Sequence, residues 1–317
     1  MTGSFSLHRL PQKELSTVLL CMTHIDRISY SLCSQRCKNA VVGLNLRAPE
    51  LRLEFSADFT MNLMFDAELT ISTLRQNVVA VNLYDKQLVF VNSAYQNSTV
   101  SWIYKCLSCR EWLAHCMEIF HTESCESAIL YSAAENICFE QIRYILEKLQ
   151  TRLIRINSDE RVELVHKILP LHLQCKELAI NINSFGRAGS MENCRKALIQ
   201  NTDNVCFEGH LDEAALHVKL DDLLLSNASQ LALIVPKLFS KDVNRFLKLW
   251  MHGANRRLKT LKLIIVNEPF FNEEEIMRGI HHTNISEQDF DEKMRAHNYH
   301  RSFIEMMNGG FNIISRD

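Results

Sequence analysis

Strand-like apolar runs recur through the second half of the chain at a near-constant interval. They centre on Ile129, Leu153, Leu178, Val205, Leu231 and Leu261, 24–30 residues apart. Helical periodicity fills most of the gaps, over residues 138–149, 159–168, 190–200 and 240–252. The gap between 205 and 231 is less regular, with apolar runs at 216–218 and 220–225. A strand plus a helix repeated at this interval buries its apolar faces by stacking on neighbouring units, so a shared core across several units is expected.

The stretch 218–261 carries the pattern most fully. Val243, Phe246, Leu247 and Trp250 fall at i, i+3, i+4 and i+7, one apolar stripe of a helix. Ser240 is placed to cap its start, and Asp242 lies in the first turn, where the helix dipole favours negative charge. Gly253 stands where a left-handed residue ends a helix. Residues 231–235 and 261–266 read as two parallel strands joined by this crossover. The interval is that of leucine-rich repeats, but their strict consensus and asparagine ladder are missing. The expected fold class is therefore mixed α/β, with a degenerate leucine-rich-repeat-like α/β arc over 125–317. A doubly wound α/β domain is the competing architecture.

Residues 5–45 read as three short helices. Leu10-Pro11 opens the first, with the proline in the first turn, where its missing N–H has no partner to lose. Leu15, Val18, Leu19 and Met22 recur on one face. Thr23 and Asp26 form a capping box for the second helix, Ser34 caps the third, and Gly43 ends it. So short a segment buries too little apolar area alone, so its surplus must be covered by the rest of the chain or by a partner.

Residues 49–121 change character. Short alternating runs at 51–55, 60–65, 78–83 and 88–91 predict a small antiparallel meander, and a helix begins near Ser108. Trp112, His115, Cys116 and Ile119 share one face of that helix. Cys106 and Cys109, with His115 or Cys116 and His121, suggest a zinc set. The second short-spaced pair is absent, and a helix through these positions spreads the ligands, so the cysteines read as small buried apolar groups. A Cys–His nucleophile pair lacks an orienting residue and oxyanion donors. His281, His282, His297 and His300 show no two histidines at i, i+4 with a carboxylate between, and read as solvated or locally bonded.

Composition closes off other classes. Apolar residues make up 47% of the 317, which excludes wholesale disorder. A net charge of −2 gives no overall footprint for nucleic acid, though it leaves room for a local basic patch. Walker, GxGxxG, GxSxG and HExxH motifs are absent, so no enzyme, cofactor or metal is expected. No apolar run is long enough for a membrane span. Eleven cysteines, with no secretion signal at the N-terminus, read as reduced thiols of a cytoplasmic or nuclear protein.

Two resemblances add to this reading. Leu7, Leu10-Pro11, Glu14, Leu15, Leu19, Ile25-Asp26, Leu32 and Ser34 together resemble an F-box. LDDLL at 220–224, Asn227, DVNRFLKLW at 242–250, Gly253, Asn255 and Arg257-Leu258 resemble the F-box-associated domain of type 2 of large nematode F-box families. Trp112-Leu-x-His115 with Ile119-Phe120 resembles the stretch that precedes that domain. The resemblance implies a domain order of 5–45 F-box, 49–121 meander and connecting helix, and 125–317 associated domain. It implies docking on a Skp-type adaptor, and through it on a cullin of a ubiquitin ligase, while the C-terminal domain holds a target protein. Leu7, Leu10, Pro11, Leu15, Leu19, Ile25 and Leu32 then include both adaptor contacts and core positions, which the sequence does not separate. The alternative is a non-catalytic interaction module uncoupled from ubiquitin ligation. Members of those families commonly continue with another strand, so the strand at 311–314, entered from the Asn308-Gly-Gly310 turn, is expected to lack a partner.

Overall fold

The computed structural model describes residues 7–48, 50–56, 59–64, 68–73, 89–93, 107–131, 139–157, 168, 175–181, 191–208, 218–235, 239–265, 272–280, 303–307 and 310–314. The architecture is mixed α/β, and the chain divides into two compact units. The first comprises Met1–Ile129 and Ala133–Thr151, the second Leu130–Ser132 and Arg152–Asp317.

In the first unit a 3-10 turn at Leu7–Arg9 leads into α1 (Gln12–Cys21), α2 (His24–Leu32) and α3 (Gln35–Val42). Pro11 is the N-cap of α1, just before the first turn rather than in it, and its carbonyl accepts the Leu15 N–H at 3.0 Å. Thr23 and Asp26 close a reciprocal capping box: the Asp26 N–H donates to Thr23 Oγ1 at 3.1 Å and the Thr23 N–H to Asp26 Oδ2 at 3.3 Å. The Cys37 N–H donates to Ser34 Oγ at 3.2 Å, which caps α3.

An antiparallel meander follows: β1 (Glu50–Phe55), β2 (Phe59–Met64), β3 (Glu68–Thr73) and β4 (Val89–Ser93). Its register sets Leu51 opposite Leu63, Leu53 opposite Met61 and Phe55 opposite Phe59, so the buried face is built from cross-strand apolar pairs. The third strand falls at Glu68–Thr73, where the sequence reading had none; its run at 78–83 lies outside the described residues. Then come α4 (Cys109–Ile119), β5 (Ser124–Tyr131) and α5 (Phe139–Lys148). Strand order within this unit is β5-β1-β2-β3-β4.

The second unit carries β6 (Gln150–Asn157), β7 (Cys175–Asn181), α6 (Met191–Leu198), β8 (Asn204–Glu208), α7 (Leu220–Leu225), β9 (Gln230–Val235), α8 (Ser240–Met251), β10 (Thr260–Ile265), α9 (Glu273–Met277), β11 (Phe303–Met307) and β12 (Gly310–Ile314). Its strands lie side by side in chain order. β7 to β10 pair in parallel, and the register explains the recurring interval. Leu178, Val205, Leu231 and Leu261 stand in one column, and Ile180, Phe207, Leu233 and Leu263 in the next. All eight are almost completely buried. At about 1.5–3 kcal/mol for each buried side chain, these columns supply much of the unit's cohesion.

Three sequence expectations need correction. The irregular gap between 205 and 231 contains α7. Ser240 does not cap α8, because Phe239 holds that position; the serine hydroxyl instead accepts the Asn272 N–H at 2.9 Å, at the start of α9. The strand at 310–314 has a partner: β12 pairs antiparallel with β11, which pairs antiparallel with β10. The sequence reading treated the polar stretch before β11 as irregular and missed that strand. The predicted helix over 159–168 lies, apart from Ile168, outside the described residues.

Candidate functional site

The three N-terminal helices close around a small apolar centre of Leu15, Leu19 and Ala40. Leu15 is 5% exposed, Leu19 fully buried and Ile25 8% exposed. Leu7, Leu10, Met22, Tyr30 and Leu44 pack against that centre but stay partly open. Leu32 is half-buried, Pro11 is exposed, and Leu20, which the sequence reading did not single out, is 53% exposed. The seven residues singled out in sequence thus divide physically. Leu15, Leu19 and Ile25 hold the helices together. Leu7, Leu10, Pro11 and Leu32 remain within reach of another molecule.

Arg27 fixes the angle between α1 and α2. Its side chain is buried, and it donates from Nε to Leu19 O at 2.8 Å and from Nη2 to Leu20 O at 2.7 Å. These carbonyls end α1, where a cation is favoured; the Met22 N–H also reaches Leu19 O, at 3.2 Å. Burial lowers the Arg27 pKa, opposed by the neighbouring Asp26 charge.

α4 holds the opposite side of α2 and α3. Ser31 Oγ lies 2.7 Å from His115 Nε2, Lys38 Nζ 2.6 Å from Glu118, and His121 Nε2 2.9 Å from the Val42 carbonyl. The helices are therefore closed on this side and open along the rim of α1.

In the second unit, polar side chains join helix ends to strand edges. Asp222 is fully buried, accepts the Lys219 N–H at 2.8 Å and pairs with Arg195 at 2.6 Å. Asn227 donates to Asn201, whose carbonyl oxygen also accepts from Arg257 at 3.1 Å. Asn255, in the left-handed region at φ 50°, donates to Ser226 O at 2.9 Å and Leu223 O at 3.3 Å. The Trp250 indole N–H donates to Leu258 O at 3.1 Å. Gly253, at φ 90°, closes α8: its N–H reaches Trp250 O and the Ala254 N–H reaches Leu249 O, both bonds of a Schellman motif.

Residues 7–48 match the F-box domain family. Residues 193–263 match FBA_2, the F-box associated family. The two matches together support an F-box plus FBA_2 protein. No curated protein and no solved structure matches the chain. The FBA_2 match spans the network just described, and the spaced residues that carried the resemblance are mostly its braces: Asp222, Asn227, Trp250, Gly253, Asn255 and Arg257. Such modules typically serve as adaptors, and F-box domains generally bind a Skp-type adaptor and through it a cullin.

The other candidates behave as core. Burial pushes the Cys109 thiol up to about 12 and the Cys116 thiol higher still, which keeps both protonated and poor as ligands or nucleophiles. Burial, helped by the Lys38 charge and opposed by Glu118, pulls His115 down to about 4, so the imidazole is neutral. Cys106 and the four C-terminal histidines lie outside the described residues. Among the described residues no cluster of three or more His, Cys, Asp or Glu could hold a metal ion, and no helix is long and apolar enough to cross a membrane.

Proposed function

We propose that this chain is a substrate-recognition adaptor of a Skp–cullin–F-box ubiquitin ligase. The observation that carries the reading is the presence of F-box and FBA_2 matches on one chain. Its organisation is an F-box at 5–45, a meander and connecting helix at 49–121, and an associated domain at 125–317 whose strand–helix units act as a leucine-rich-repeat-like arc. The protein works in the cytoplasm or nucleus. Leu7, Leu10, Pro11 and Leu32 meet the Skp-type adaptor, while Leu15, Leu19 and Ile25 shape the surface from beneath. The partly open rim of α1, with Leu20 more than half exposed, supports this division. The chain contributes proximity rather than bond-making, holding a target protein beside a separate conjugating enzyme.

The test uses the full chain. Leu10→Asp combined with Pro11→Ala is expected to abolish co-purification of a Skp-type adaptor while the protein stays folded, with its unfolding midpoint lowered because Leu10 packs partly against the core. Leu19→Ala serves as the contrast: it empties the core, with an expected cost of about 2–5 kcal/mol, and any lost binding follows from lost fold. A folded Leu10→Asp/Pro11→Ala protein that still carried the adaptor would place the contact elsewhere. No co-purification by the unmutated chain would favour an interaction module uncoupled from ubiquitin ligation.

A further inference from the structure

Between Asp242 and Glu268 the sequence has no acidic residue and six Lys or Arg, in a chain whose net charge is −2. The structure places most of these cations around the C-terminal end of α8. Lys241, Arg245, Leu249 and His252 are exposed along one stripe of the helix, while Val243, Phe246 and Leu247 face the core. Two acids from packed elements neutralise part of the charge: Glu275 lies 3.9 Å from Lys241, and Asp203 lies 3.6 Å from Arg257. Arg245, Lys248, Arg256 and Lys259 form no ion pair among the described residues.

Apolar side chains stand among these cations. Leu249, on the stripe with Arg245 and His252, is 42% exposed, and Leu225, at the end of α7, 46%; Met251 lies on the other flank of α8. Asn255 brings the two helix ends together by bonding the Leu223 and Ser226 carbonyls, and the Schellman closure with the Trp250–Leu258 bond holds the loop carrying Arg256 in place. A solvated helix face needs no such apolar residues, and a loop so braced presents its charges in fixed geometry, which lowers the ordering cost of binding.

We propose that this surface is where the chain grips its target, and that it takes an acidic segment carrying apolar anchors. Unpaired cations select the negative charge of the segment, and Leu249 and Leu225 receive its apolar side chains. The inference rests on the adaptor reading for its biological purpose, but not for the binding itself. Nucleic acid fits less well. Trp250 is half-buried, stacked on Phe246 with ring centroids 6.2 Å apart, and its N–H is already used, so it offers no platform for a base. Exposed Phe239 lies at the other end of α8, about 15 Å away. A lipid surface fits less well too, because most of the apolar stripe of α8 is spent on the core.

The experiment measures anisotropy of a labelled 16-residue peptide of Glu, Asp, Leu and Phe on the full-length chain. The controls are the same peptide with Lys in place of its acids, the same peptide with Ser in place of Leu and Phe, a 16-nucleotide single-stranded DNA, and vesicles of phosphatidylserine and phosphatidylcholine. The acidic apolar peptide is expected to bind tightest. Arg245→Glu/Arg256→Glu/Lys259→Glu should weaken it at least tenfold, and Leu225→Ser/Leu249→Ser at least threefold, with unchanged thermal unfolding. Leu10→Asp/Pro11→Ala should leave peptide binding unaltered, so failure of the adaptor reading and failure of this one are told apart. Binding insensitive to the three charge reversals, equal binding of the Ser-substituted peptide, or tighter binding of DNA or vesicles through the same residues would each overturn the proposal.

Discussion

The imidazole of His115 meets the Ser31 hydroxyl at 2.7 Å inside the packing of α4 against α2. Its folded pKa, about 4, lies below the unfolded value of 6.5. The unfolded chain therefore binds more protons than the folded one between those values, and stability falls as pH drops through that window. The contribution is fully present above pH 6.5 and fades toward pH 4, with a loss on the order of 3 kcal/mol at about 1.4 kcal/mol per pKa unit. Urea midpoints at pH 7 and pH 5 should differ more for the native chain than for His115→Gln; equal differences would remove His115 as the source. Arg27 is a second residue whose removal has a definite cost. Arg27→Ala strips the donor from the Leu20 carbonyl and leaves the Leu19 carbonyl with the Met22 N–H alone, so a loss of about 1–3 kcal/mol is expected in chemical denaturation.

At the scale of elements, the end of α8 is decided by two left-handed residues used differently. Gly253 sits at φ 90° with nothing within 4 Å of where a Cβ would stand, so Gly253→Ala costs backbone strain alone, about 1–2 kcal/mol. Asn255 also sits at φ 50°, but its side chain ties α8's exit to α7. Asn255→Gly keeps the backbone easy and removes the tie; Asn255→Ala loses both. The thermal midpoint should fall for both Asn255 variants, more for alanine. A glycine variant as stable as the native chain would show that the bonds to Leu223 and Ser226 carry no weight.

At the scale of the molecule, the two proposals assign two partners to surfaces of different chemistry. The F-box rim is apolar, so its hold on a Skp-type adaptor should change little with ionic strength. The α8 surface is cationic, so its hold on an acidic peptide should weaken several-fold between 50 and 500 mM salt, as screening shortens the reach of exposed charges. Measuring both on one preparation checks the division of labour, and parallel loss of both with salt would count against it.

Legibility in sequence followed the range of each interaction. The columns led by Leu178 and Ile180 were readable because a strand shows its buried face every second residue, and the unit repeats that face at a steady interval. The capping box at Thr23–Asp26, the start of α4 near Ser108 and the Gly253 closure were readable because all their atoms lie within a few residues. What Asp222, Asn201 and Asn255 hold onto across the unit could not be read, since Arg195, Asn227, Arg257, Leu223 and Ser226 stand 26 to 56 residues from them and no local pattern marks them. Leu10 and Leu15 look alike in the chain; only the fold decides that one stays partly open while the other is sealed against Leu19 and Ala40. Sequence alone determined most of the strands and helices, because propensity, capping and periodicity act locally, but it did not show β3, α7 or β11. Tertiary structure decided which side chains remain free to bind, because exposure depends on whichever distant segment happens to cover them.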